Sequence, residues 1–149
     1  MTTFPASQET ASIEPIGGNA FARVTKKAAG AIVSGNVLIS TITTGALQVA
    51  TAADVGPFFV ASRDGASADT TISVFGTGAY AWVVSNGVIH PNNTVVADTG
   101  GLVKAWVAET YDKIVGVYLH KAGEGDPNHP PTDAAAADRI LIRLGGGKV

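Results

Sequence analysis

The sequence predicts an all-β domain, a compact sandwich- or barrel-like body built from two related β-units. Two observations carry this expectation. Short apolar runs alternate with turn signals along most of the 149 residues, and no long stretch has a convincing helical period. The stretch Ser34-Gly-Asn-Val-Leu-Ile also reads as having a second copy in Ser85-Asn-Gly-Val-Ile-His. The segments C-terminal to the two copies are alike too. The first copy leads into Thr44-Gly45, Leu47-Gln-Val-Ala-Thr, Gly56-Pro-Phe-Phe-Val-Ala and Thr71-Ile-Ser-Val-Phe. The second leads into Thr99-Gly-Gly101, Leu102-Val-Lys-Ala-Trp, Ile114-Val-Gly-Val-Tyr-Leu and Arg139-Ile-Leu-Ile-Arg. A turn-strand module this short leaves an apolar face uncovered, and pairing two modules buries it. The expected units are residues 30–78 and 82–147, inside one domain of residues 20–149.

Residues 1–19 stand apart. Pro5, Pro15 and Gly17-Gly18 break any period, and Phe4, Ile13 and Ile16 are isolated apolar residues in a Ser/Thr-rich background. This reads as an arm. The common case for such a terminus is disorder, and the alternative is a segment that orders on a partner by seating its apolar residues in pockets or by adding a strand to a sheet. A loose alternation over 20–27 predicts a first strand. Further strands are expected near 37–41, 47–51, 57–62, 70–75, 79–84, 94–97, 102–108, 114–120 and 139–144. Asn86-Gly87 is the strongest hairpin signal, because both residues tolerate the positive φ of a type I′ turn. At most one short helix is expected near 132–138, where Thr132 could cap Asp133-Ala-Ala-Ala-Ala-Asp138 and Pro130-Pro131 would stop upstream extension. The segment 123–138 is longer than its counterpart in the first unit and reads as a loop insertion, a possible exposed contact through Asp126, Asn128, His129 and Pro130.

Composition narrows the functional classes. The net charge of −2 and the single adjacent basic pair, Lys26-Lys27, give no footprint for nucleic acid. No apolar run approaches the roughly 20 residues that span a bilayer. The first residues have neither the basic start nor the apolar core of a secretory signal. There is no cysteine, which removes disulfides and thiolate chemistry. Charged residues are 15% of the chain, below the roughly 25% usual for soluble domains, so part of the surface is expected to face another protein or to be covered with Thr, Ser and Asn.

Catalytic and ligand motifs are missing. His90, His120 and His129 lack the close spacing of a metal pair, and Asp54, Asp64, Asp69, Asp98, Asp112 and Asp126 fall near turns, where Asp binds local backbone. There is no Gly-x-Ser-x-Gly elbow. Gly76-Thr-Gly78 and Gly123-Glu-Gly125 lack the third glycine of a dinucleotide loop, and Gly145-Gly-Gly-Lys148 lacks the leading glycine of a phosphate loop. Trp82, Trp106, Tyr80, Tyr111, Tyr118, Phe58 and Phe59 fall mostly in expected strands, which favours core or subunit-interface packing. The expectation is a protein that is not an enzyme and takes no cofactor, metal or small-molecule substrate.

The runs Ala-Gly-Ala-Ile-Val-Ser-Gly-Asn-Val-Leu, Gly-Ala-Leu-Gln-Val-Ala-Thr-Ala-Ala and Gly-Pro-Phe-Phe-Val-Ala, with Gly101-Leu-Val-Lys-Ala and Lys113-Ile-Val-Gly-Val-Tyr-Leu, resemble phage capsid decoration or cement proteins. These are the broad group related to the lambda head-decoration protein, and the similarity spans about residues 28–145. The resemblance implies a β-tulip-like protein, often trimeric, that sits outside an assembled head and bridges major capsid protein subunits. It implies a virion location after synthesis in the host cytoplasm. It also implies that the arm, through Phe4, Pro5, Ile13, Pro15 and Ile16, is the attachment segment. The reading held beside it is a carbohydrate- or host-surface-binding module of a virion fibre or tail.

Overall fold

The computed structural model describes residues 23–62, 65–124 and 130–145. Ten strands run in order: β1 (Arg23–Lys27), β2 (Val37–Ser40), β3 (Leu47–Val49), β4 (Phe59–Ala61), β5 (Thr71–Phe75), β6 (Tyr80–Val84), β7 (Thr94–Ala97), β8 (Val103–Ala105), β9 (Ile114–Lys121) and β10 (Arg139–Leu144). Among the described residues the only helical elements are single 3₁₀ turns at Thr99–Gly101 and Tyr111–Lys113. The strands form two antiparallel five-stranded sheets, ordered β1-β5-β4-β2-β3 and β6-β10-β9-β7-β8. The second order is the first with every strand replaced by its counterpart.

The hydrogen bonds repeat as well, and they correct the phase read from the sequence. Asn36 N–H donates to Val33 O and the Asn36 side chain accepts from Val33 N–H; Asn93 does the same with His90. Ala28 bridges Leu47 in parallel as Ser85 bridges Val103, and Ile32 bridges Ala66 as Ile89 bridges Ala134. Ser85-Asn-Gly therefore occupies the place of Ala28-Ala-Gly, and the partner of Ser34-Gly-Asn is Pro91-Asn-Asn93. The residue pattern favoured the other pairing because both stretches place a polar turn before an apolar pair.

The Asn86-Gly87 hairpin does not form. β6 pairs with β10 and not with β7, and Asn86 N–H donates to Val103 O while its side-chain amide donates to Asp98. The Ala28 and Ser85 bridges draw the first strand of each sheet toward its third, so each sheet curls over its own apolar interior. In the first sheet this interior is Ala28, Ile32, Leu38, Leu47, Ala61, Ile72 and Val74. Val37, Ala50, Phe58 and Val60 leave that set and join the core of the second sheet, with Val83, Ile89, Val95, Tyr118, Ile140 and Ile142. One apolar cluster thus spans both sheets.

The short helix allowed at 132–138 is also absent. Ala134 bridges Ile89, and Ala137 has φ +70, the place held by Asp69 (φ +66) in the first half. Asp138 accepts from Ala135 N–H, and Ala137 N–H donates to the Ser85 carbonyl. These tertiary bonds outcompete the alanine run's helix propensity. The strand expected over 102–108 stops at Ala105, because the Glu109 carboxylate captures the Val107 and Ala108 amides that would extend it.

Candidate functional site

Three loops meet at one end of the molecule, and their sequences put apolar side chains in solvent there. In the β2–β3 turn the Thr41 and Thr44 hydroxyls share a 2.7 Å hydrogen bond, Thr41 N–H donates to Ala46 O, and Gly45 takes φ +70. The turn is held by threonines and a glycine, which leaves Ile42 fully exposed, at 103%. In the β3–β4 loop Asp54 accepts from the Thr51 amide (2.8 Å) and hydroxyl (3.2 Å), closing a tight turn that ends at Val55, 42% exposed. Between these loops lies an open groove of about 660 Å³, whose apolar wall is Ile39, Ile42, Ala53, Val55 and Pro57.

The third loop joins β8 to β9. Glu109 turns back, and one carboxylate oxygen accepts from the Val107 amide (2.9 Å) and the Ala108 amide (3.1 Å). Those amides are thereby taken from any sheet ladder. The other oxygen lies 3.5 Å from Lys104 Nζ. The Val107 amide is the largest of the causes that pull the Glu109 carboxyl down to about 2. Trp106 donates its indole N–H to Glu109 O at 2.7 Å, and its ring leans on Tyr111 at 6.5 Å between centroids. Val107 and Tyr111 are 77% and 66% exposed. This loop is tied to the groove by Gly56 N–H donating to Asp112 O at 2.6 Å and Lys113 Nζ to Ala52 O at 3.3 Å. The β3–β4 and β8–β9 loops are thus bonded to each other, and the three loops carry the exposed apolar residues Ile42, Val55, Val107 and Tyr111. Large apolar side chains exposed together on neighbouring loops mark a candidate protein contact.

The sequence-based candidates fall elsewhere. Phe4, Pro5, Ile13, Pro15 and Ile16 lie outside the described residues, as do Asp126, Asn128 and His129. Pro130 is described and exposed. The base of its loop is pinned: Glu124 accepts from the Lys121 amide and from the Thr132 amide and hydroxyl. Its carboxyl is held below the usual range, first by the Thr132 hydroxyl. The buried Tyr118 hydroxyl donates to Thr132 O at 2.8 Å, and burial pushes that phenol up to about 12. His90 contacts Asp133 at 2.9 Å, whereas His120 stands edge-on to Trp82. Among the described residues no three His, Cys, Asp or Glu side chains are grouped to hold a metal ion.

The apolar end escaped sequence reading because its residues sit inside patterns that predict burial. Val107 continues an alternating run and Tyr111 precedes an apolar one. Only Ile42, alone in Thr-Ile-Thr-Thr-Gly, carried a visible signal, an isolated large apolar residue in a turn.

Fold and surface together define an all-β body of two like-ordered sheets with one apolar end. No family model matches the chain, and no curated protein matches it by sequence. Among solved structures it is similar to the head fiber gp8.5 N base in bacteriophage phi29, with a TM-score of 0.60 and 9% identity, over 85% of this chain and 96% of that one. What the two share is the fold.

Proposed function

We propose that this chain is a structural protein of a phage head, a decoration or cement protein that binds outside the assembled shell as a trimer and bridges major capsid protein subunits. The observation that carries this reading is the fold shared with the base of a head fibre, which extends over nearly all of that base. That neighbour favours a head-attached role in general and lends nothing specific to the lambda decoration group. The groove at Ile42 and Val55, with exposed Tyr111 on the loop bonded to it, supplies a contact face of the kind such a role needs. The arm, with Phe4, Ile13 and Ile16, supplies a second point of attachment. The work is mechanical: linked weak contacts raise effective concentration, and a ligand that binds only the assembled shell stabilises it by mass action.

Purified protein mixed with undecorated expanded heads is expected to bind stoichiometrically, and removal of residues 2–19 or Ile42→Asp to weaken binding at least tenfold. Equal binding by all three proteins would take both the arm and the apolar end out of the attachment.

A fibre-borne binding module is the second reading, favoured because the structural neighbour is itself part of a fibre and because Tyr111 and Trp106 form a partly exposed aromatic pair. Saturable glycan binding lost in Trp106→Ala would move the assignment there.

A further inference from the structure

The groove between the β2–β3 turn and the β3–β4 loop has an apolar wall and a fully exposed isoleucine at its lip, and the chain carries a segment suited to fill it. β1 begins at Arg23, which pairs with Phe75; Phe75 pairs with Val60, and Val60 with Val37. Those four residues form one row across the sheet. β1 and β4 run in the same direction and β2 in the opposite one. The start of β1 therefore points to the end of the sheet reached by going from Val37 to Ser40, where Ile39, Ile42, Val55 and Pro57 line the groove.

The distances allow it. Laid flat, β1 to β2 is three strand spacings, about 14 Å, and the groove lies about 10 Å beyond the row of Arg23, a span of about 17 Å that the curl bringing Ala28 to Leu47 can only shorten. The residues from Ile16 to Arg23 reach about 23 Å when extended. Ile16 and Ile13 are thus within range of the groove of their own chain, and Gly17-Gly18 lets the connection turn. Two isoleucines flanking Glu14-Pro15 match a groove of this volume in chemistry and size, whereas a more distant partner segment would have to bring in its own apolar residues.

We infer that the groove is an internal docking site for the segment Ile13-Glu-Pro-Ile16 of the same chain. Attachment as proposed above would require the arm to leave the groove, which would free both the arm and the Ile42 face for a shell. Such docking belongs to the free protein and stands or falls independently of head binding.

The chain has no cysteine, so a designed pair reports proximity without background. The full-length double variant Ile16→Cys/Val55→Cys, oxidised mildly in dilute solution, is expected to give an intramolecular disulfide in most molecules, because such a bond requires Cα atoms within about 7 Å. The pair Ile16→Cys/Val33→Cys, with Val33 exposed at the opposite end of β2, is expected to give little. Adding Ile42→Asp to the first pair should cut the cross-link at least fivefold while the circular dichroism spectrum stays unchanged. A disulfide formed mainly between two chains would overturn the inference in favour of a second copy's arm. Equal cross-linking of both pairs, or none, would overturn it outright.

Discussion

Glu109 turns the β8–β9 loop by gathering the Val107 and Ala108 amides on one carboxylate oxygen, with Lys104 near the other. Its carboxyl is drawn down to about 2 from an ordinary 4.5, so between those values the unfolded chain binds the proton better. The stabilisation is present above pH 4.5 and fades as pH falls toward 2. Because the group is close to solvent, the expected loss in Glu109→Gln at pH 7 is about 1 kcal/mol or less. Urea midpoints measured from pH 7 to 2 should converge for the two proteins at the acid end; parallel curves would mean the carboxylate does not hold the loop by charge. The same loop marks where residues taken one at a time stop disclosing their surroundings. Phe58 and Tyr118 were legible as core because apolar runs surround them, and both are buried. Val107 was not legible as surface, since the carboxylate that ends its strand sits outside the alternation that suggests one.

At the scale of elements, the strand positions were legible in turn punctuation and alternation, and the connections between them were not. A strand announces itself locally, but its partner is chosen by which faces become buried. Asn86-Gly87 has the chemistry of a hairpin turn, yet Ser85 is fully buried, with its one hydroxyl proton within reach of both Gly87 O (2.6 Å) and Ala135 O (2.9 Å). That anchors the chain to the segment before β10 and carries it away from β6. The same segment contains the alanine run that looked helical. In a helix interior Ala137→Gly would cost about 1 kcal/mol. In the turn it forms instead, Ala137 sits at φ +70, where a side chain is disfavoured by about 1–2 kcal/mol and glycine is not. Ala137→Gly is therefore expected to raise stability by about 0.5–1 kcal/mol in urea unfolding, after the entropy that glycine adds to the unfolded chain. A decrease would restore the helix.

Across the whole molecule, the question is whether two sheets of like order behave as two small bodies or one. Each has its own interior, and each repeats the other's bonds, so independent unfolding is physically reasonable. Against it stands the cluster in which Val37, Ala50, Phe58 and Val60 of the first sheet are buried among residues of the second. Gly101 adds to this. A Cβ there would meet the Asn36 amide and the Val49 side chain, each at 2.9 Å, while its own N–H donates to Ala50 O, so the halves approach backbone to side chain. The two tryptophans, Trp82 and Trp106, both lie in the second half. Their fluorescence reports that half, while circular dichroism reports both. Phe58→Ala removes a first-half residue and should cost about 3–5 kcal/mol. If the shared cluster governs, the fluorescence and dichroism midpoints will fall together in a single transition, by a shift that corresponds to that loss of stability. A fluorescence midpoint that stays put while dichroism splits into two steps would show two bodies joined by a seam.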